Sequence, residues 1–169
     1  SIEDCILFDN SALVSGGGCY TTSLTAEAVR SVCNGNWAPR GGGLHLLGDF
    51  QTGDSASFDG VLITFNQADY GGGLAISGAI DVTVDHTVIG ENISQLLGSA
   101  IENDSATLTI GSTTICGNSP SDIDAIEGAW TDVGGNEFAA TCVVPTLLGV
   151  CCFEDGCELT VEESCNGDV

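Results

Sequence analysis

The 169 residues carry 24 acidic side chains against two basic ones, Arg30 and Arg40, for a formal net charge of −22. A surface of that sign repels phosphate backbones and anionic lipid headgroups, which argues against nucleic acid as a partner and against membrane insertion, and makes cations the natural counterions. The 43% apolar content excludes a disordered chain despite the charge and is enough for one domain with a buried core.

The chain opens inside a repeat. Leu7-Phe-Asp-Asn10 is followed by Gly16-Gly-Gly18. The same frame, an apolar residue three before an Asn with glycines after it, returns four times: Cys33 to Asn36 with Gly41-Gly-Gly43, Ile63 to Asn66 with Gly71-Gly-Gly73, Ile89 to Asn92 with Gly98, and Ile115 to Asn118 with no cluster after it. The asparagines are 26, 30, 26 and 26 residues apart. A period in the twenties is the mark of stacked coils in which each repeat contacts only its neighbours. Ser1 stands where a start methionine would be, as in a processed or excised product, and the first repeat leaves no room for an N-terminal cap. End-to-end stacking on another molecule is one expectation from such an uncapped rung.

Within each repeat the pattern predicts three short strands. Ala26 and Ala28, Ala56 and Phe58, Val82 and Val84, and Leu108 and Ile110 are apolar pairs whose neighbours are Thr, Ser, Glu or Asp, so alternate side chains point inward. Residues 24 to 32 have a possible helical turn but alternate well enough to read as strand. Leu7, Cys33, Ile63, Ile89 and Ile115 mark a second strand; Leu44 and Leu46, then Leu74 and Ile76, mark a third, with His45 pointing outward between the first two. The fold class that follows is all-β, a right-handed parallel β-helix of about five coils of about 26 residues with a small cysteine-rich C-terminal segment. Asn10, Asn36, Asn66, Asn92 and Asn118 are expected to form a ladder at one corner, because Asn tolerates a left-handed backbone and its amide can bond to the next rung. The glycine clusters supply another corner, where positive φ or close backbone approach leaves no room for a side chain. A phosphate loop at Gly16 to Gly18 is not supported, since no Gly-Lys-Ser/Thr follows and the chain has no lysine.

After Asn118 the period fails. Residues 128 to 136 read as an atypical terminal repeat whose Trp130 covers the open core. The expected division is a β-helix with its cap over 1–142, then an apolar linker and disulfide-held tail over 143–169. Nine cysteines point to disulfides and an extracellular setting. Cys151, Cys152, Cys157 and Cys165 can form two bridges in the tail, and Cys116 and Cys142 can pin the terminal repeat to the last coil. Cys5, Cys19 and Cys33 leave one thiol over, with Cys33 the candidate for a buried free cysteine or, alternatively, the odd thiol serving an intermolecular bridge.

These repeats resemble those of bacterial polymorphic outer-membrane and related β-helix surface proteins, which carry an apolar-x-x-Asn element followed by Gly-Gly-small-Ile/Leu; the matches cover residues 5 to 120. The stretch from Thr114 through Asn136 to Cys142, followed by Cys151-Cys152, is similar to the tail of large secreted bacterial β-helix proteins. The resemblance implies an extracellular surface or adhesive protein and implies no particular activity. No outer-membrane barrel is present in these residues to complete it.

Candidate chemistry is sparse. Glycoside cleavage needs two carboxylates on one face; Asp81 and Asp85 with His86 are the available set, but with 24 acids some close pair is inevitable. Calcium can be held through Asp54, Asp59, Asp122 and Asp124, although no EF-hand loop contains them. Otherwise no cofactor is expected. An ice-ordering threonine array reduces to Thr83 beside Thr109, with Ser57 and Glu27 at the equivalent positions, and is too small. The expectation is therefore an extracellular structural or adhesive protein without catalysis, contacting glycans, a cell surface or further copies of itself; the alternative is a carbohydrate-binding or carbohydrate-cleaving β-helix.

Overall fold

A computed structural model describes residues 1–22, 25–48, 53–120, 125–142, 148–153 and 156–161. The described residues contain strands and no helix. The first coil holds β1 (Ile2–Glu3), β2 (Ile6–Phe8) and β3 (Cys19–Thr21); the second holds β4 (Thr25–Val29), β5 (Val32–Asn34) and β6 (Leu44–Leu47). The third and fourth coils have an additional strand each: β7 (Ser55–Asp59), β8 (Leu62–Thr64), β9 (Gln67–Tyr70), β10 (Leu74–Ser77), then β11 (Asp81–Asp85), β12 (Val88–Gly90), β13 (Ile93–Leu97), β14 (Ile101–Asp104). The fifth coil has β15 (Thr107–Gly111), β16 (Thr114–Cys116) and β17 (Ile126–Glu127), and a partial sixth has β18 (Thr131–Asp132) and β19 (Glu137–Ala139).

Each strand pairs in parallel with its counterpart one coil away. The result is three long sheets, β1-β4-β7-β11-β15-β18, β2-β5-β8-β12-β16-β19 and β3-β6-β10-β14-β17, referred to below as the first, second and third. The small pair β9-β13 forms a side strip between the second and third. This is the parallel β-helix that the repeat period predicts. Within residues 24 to 32, Thr25–Val29 form β4, so the alternation there is a strand. The tail contributes an antiparallel hairpin of β20 (Leu148–Phe153) and β21 (Gly156–Val161), so residues 148–150 belong to a strand rather than to a linker.

The core is a set of aligned ranks. Ile63, Ile89 and Ile115 lie opposite one another in register and are fully buried, as are Leu74 and Ile101 on the third sheet and Val82, Leu108, Val84 and Ile110 on the first. Each fully buried Ile, Leu or Val contributes about 1.5–3 kcal/mol relative to exposure. Toward the first coil the same ranks are filled by Cys33, Ala28 and Ala56, smaller groups that thin the core. Trp130 lies against this core at the other end, half-buried, with its ring 5.9 Å from that of Phe138.

The corner chemistry differs from the expectation in one respect. None of the five asparagines is itself left-handed. The residue before each one takes that conformation: Asp9, Gly35, Phe65, Glu91 and Gly117 have φ of 51°, 69°, 56°, 55° and 60°. The turn therefore places its strain one position early and leaves Asn to bond inward. At the other corner the first glycine of each cluster has positive φ, for example Gly71 at 63°. The second glycine meets backbone instead: a Cβ on Gly72 would lie 2.5 Å from the Ser99 carbonyl oxygen of the next coil.

Candidate functional site

The asparagines form a continuous hydrogen-bonded column inside the corner. Asn10 donates its backbone N–H and side-chain amide to Asn36 Oδ1, both at 2.9 Å; Asn36 does the same to Asn66, Asn66 to Asn92 and Asn92 to Asn118. Each Nδ2 from Asn36 onward also donates to a carbonyl one coil back, at Leu7, Cys33, Ile63 and Ile89. Asn66 and Asn92 are fully buried, so every one of these groups has exchanged water for a protein partner. A second, weaker column at the preceding corner went unread in the sequence: Cys5 N–H donates to Ser31 Oγ, Val61 N–H to Thr87 Oγ1, Thr87 N–H to Thr113 Oγ1 and Thr113 N–H to Asn136 Oδ1. Its signal, a Ser or Thr five before the Asn, is interrupted by Val61 and so does not stand out.

Of the acidic candidates placed by the structure, Asp59 and Asp85 meet at His86 and the others stand apart. His86 Nδ1 lies 3.3 Å from both Asp59 Oδ1 and Asp85 Oδ2 on the exposed edge of the first sheet, while Asp81 is at the opposite end of β11, roughly 13 Å away at a strand's rise per residue. Asp54 is buried before β7 and Asp59 exposed at its far end, so these two do not share a cation. Asp122 and Asp124 lie outside the described residues. Among the described residues no group of three or more His, Cys, Asp or Glu side chains is arranged to hold a metal ion. The hydroxyl rank on the first sheet runs Ser57, Thr83, Thr109, Thr131, one residue longer than the sequence register suggested, with Glu27 at its end.

What the sequence did not announce is an apolar ledge. Of the twelve large apolar side chains exposed among the described residues, six lie along the side strip, Leu13 and Val14 in the first coil, Trp37 in the second, and Ile93, Leu96 and Leu97 in the fourth, with Phe65 at the corner beside it. Backbone pairing aligns three of them, since Ser11, Trp37, Gln67, Ile93 and Ser119 are successive partners in one rank and Arg40, Tyr70 and Leu97 in another. Behind the ledge Ala38 and Ala68 are fully buried, too small to push the strip off the core. Gln67 and Gln95 are exposed on it, and Asp69 is its acidic member.

A polar bracket ties the ledge to the third sheet. Arg40 leaves the strip and its guanidinium pairs with Glu102, donates to Ser77 Oγ at 3.3 Å, and lies 5.5 Å from the centre of the Tyr70 ring. His45 Nε2 is 3.2 Å from the same Ser77 Oγ, and its ring is 5.2 Å from that of Tyr20. His45 does point outward, as alternation requires, yet it is only 6% exposed because these neighbours cover it. Burial, and secondarily the Arg40 charge, hold its pKa down at about 4, so it is neutral at pH 7. Arg40 can only donate, so Ser77 Oγ accepts from it, and its second lone pair or its own proton faces His45 Nε2 according to the imidazole tautomer. Glu102 is 5% exposed; burial raises its pKa and Arg40 opposes that rise. The shared rank of Tyr20, His45, Ala75 and Glu102 made this cluster readable only once the strand register was known.

The cysteines divide as their positions dictate. Cys116 and Cys142 form a disulfide across 26 residues, and Gly90 leaves the space into which the Cys142 sulfur fits. Cys5, Cys19 and Cys33 are free thiols, respectively exposed, half-buried and buried. Burial pushes Cys33 up to about 12 and raises Cys19. The side chains of Cys151, Cys152, Cys157 and Cys165 lie outside the described residues. No family model matches the chain, and neither a curated protein nor a solved structure matches it.

Proposed function

We propose that this chain is an extracellular adhesive protein: a stiff β-helical rod that works without catalysis and presents the ledge as its contact face. The observation that carries this reading is the gathering of six of the twelve large apolar residues exposed among the described residues on one side strip of a chain with a net charge of −22. Contiguous apolar surface of this kind marks an interaction site, because it costs solubility wherever it is left uncovered. The cysteine content and the Cys116–Cys142 bridge support an oxidising compartment. The lack of a second carboxylate beside Asp69 on the ledge supports binding over hydrolysis, and the acids elsewhere oppose sideways aggregation.

The test is retention of the purified chain on immobilised extracellular materials, polysaccharides and matrix proteins alike, compared with a Trp37→Ser/Leu97→Ser variant of unchanged thermal stability. Retention of the parent and loss in the variant is the expected result. Equal retention of both, or none by the parent, overturns the reading.

A further inference from the structure

We infer that the ligand of the ledge is a neutral polysaccharide chain lying along the rod axis; this rests on the adhesive reading and names its partner. A pyranose ring offers an apolar C–H face and an edge of hydroxyls. A surface that recognises it needs flat apolar groups with donors and acceptors beside them. The ledge supplies both. Trp37 and Tyr70 come from two adjacent coils of the strip, Phe65 stands at the corner beside it, and the amides of Gln67 and Gln95, which donate and accept alike, are exposed on the strip. Trp37, Gln67 and Ile93 stand in one rank at about the 4.8 Å spacing of neighbouring strands, so a polymer laid along the rod meets a ring, an amide and an aliphatic side chain in turn.

Charge decides against the other partners. The chain has two cationic side chains besides its histidines. Arg30 is paired with Glu3 and Asp4 away from the strip, and Arg40 is engaged by Glu102 and Ser77. Neither is free to meet a uronate or a sulfate, so an anionic glycan would bring uncompensated charge to a surface already carrying a large negative excess. A second copy of this chain brings the same excess and is repelled for the same reason. A cationic protein would be drawn to the carboxylates spread over the other faces, whereas the strip offers it Asp69 and the corner beside it Glu91. A neutral, hydroxyl-rich polymer meets none of these penalties.

The support under the platform fits a binding surface. Arg40 against the Tyr70 face fixes that ring, and the backbone ladder of β9 with β13 fixes the strip that carries it, so little side-chain freedom is lost when a sugar stacks there.

The experiment incubates the full chain with insoluble neutral polysaccharides (cellulose, chitin, mannan), with anionic ones (pectate, immobilised heparin) and with collagen and fibronectin matrices. The variants are Trp37→Ser/Tyr70→Ser and, on the far side, Asp85→Asn/His86→Ala, each checked for parental melting temperature. Retention on at least one neutral polysaccharide, insensitive to salt, reduced tenfold or more in the first variant and unchanged in the second, is expected. A soluble oligosaccharide of that polymer should shift the tryptophan fluorescence, and Trp37→Phe should abolish the shift. Retention confined to protein matrices but lost in the first variant overturns the glycan and leaves the adhesive reading standing. Retention confined to anionic polymers overturns the inference, and so does retention that the first variant keeps. Failure to bind any material overturns both.

Discussion

Two donors of Asn66 converge on a single acceptor of Asn92. The Oδ1 of Asn92 receives the backbone N–H of Asn66 at 2.9 Å and its side-chain amide at 3.0 Å, and the Asn92 amide in turn donates to Ile63 O and Asn118 Oδ1. Removing the Asn92 side chain therefore strands two buried donors and a carbonyl, whereas removing that of Asn10, at the exposed end of the column, takes away one donor and leaves Asn36 Oδ1 with the Asn10 backbone N–H as partner. With each unsatisfied buried group costing about 1–3 kcal/mol, Asn92→Ala is expected to destabilise by about 3–5 kcal/mol. Asn10→Ala should cost about 1 kcal/mol, because water can reach its surroundings. Urea unfolding followed by far-UV circular dichroism measures both, and similar losses at the two positions would show that the column is not the source of the stability.

Gly72 is constrained by its neighbours rather than by its own backbone. A Cβ there would lie 2.5 Å from Ser99 O and 2.7 Å from Ile93 O, both backbone atoms that are themselves in the ladder. Gly72→Ala must push two coils apart, at a cost of more than about 3 kcal/mol by the scale of overpacked buried sites. Gly53→Ala is the comparison, since nothing lies within 4 Å of its Cβ and its cost is confined to the φ of 106°. A melting temperature that falls equally in both variants would refute the steric account.

The cysteines predict an order of labelling. Exposed Cys5 should react with iodoacetamide first and half-buried Cys19 more slowly, while Cys33, buried and pushed up to about 12, should react only after unfolding. Peptide mapping after timed quenching reads this directly. Reducing the Cys116–Cys142 bridge should loosen β18 and β19, and for a 26-residue closure the chain-entropy model gives a loss of about 3.5 kcal/mol. Rapid labelling of Cys33 in the native chain would contradict the packing around it.

The repeat made the architecture legible because each coil obeys the same rule at the same position: Ile63, Ile89 and Ile115 must all face inward if any one of them does. Register carried over too, since Thr83 beside Thr109 follows from the period alone. The ledge was not legible for the opposite reason. Its residues share no type, so Trp37, Gln67 and Ile93 look unrelated until backbone pairing sets them side by side. The bracket was hidden by distance, Arg40 and Glu102 being 62 residues apart. The left-handed corner was misplaced by one residue because Asn is so often the left-handed residue; here its amide is needed for the column, and Phe65 and Glu91 bear the strained backbone instead.

His45 makes the fold sensitive to mild acid, and the sign follows from which state holds the proton. The unfolded chain protonates this histidine near 6.5, while the folded chain resists until about 4 because burial and the Arg40 charge oppose the imidazolium. Between those values the unfolded state binds more protons, so stability rises with pH and is lost on acidification from 6.5 toward 4. The difference of 2.5 units corresponds to about 3 kcal/mol at 1.36 kcal/mol per unit. Glu102 works in the other direction: burial raises its pKa above 4.5, so the folded state keeps that proton longer and the contribution of this group declines as pH climbs past 4.5, with Arg40 limiting the effect. His45→Gln retains a partner for Ser77 and removes the titration. Unfolding free energies measured at pH 7 and pH 4.5 should therefore differ less in His45→Gln than in the parent, by an amount on the order of 2–3 kcal/mol. Glu102→Gln should steepen the parent's loss in acid by removing the opposing slope. An unchanged pH dependence in His45→Gln would mean that the buried imidazole titrates as it does in the unfolded chain, and the bracket beneath the ledge would then have to be open to water.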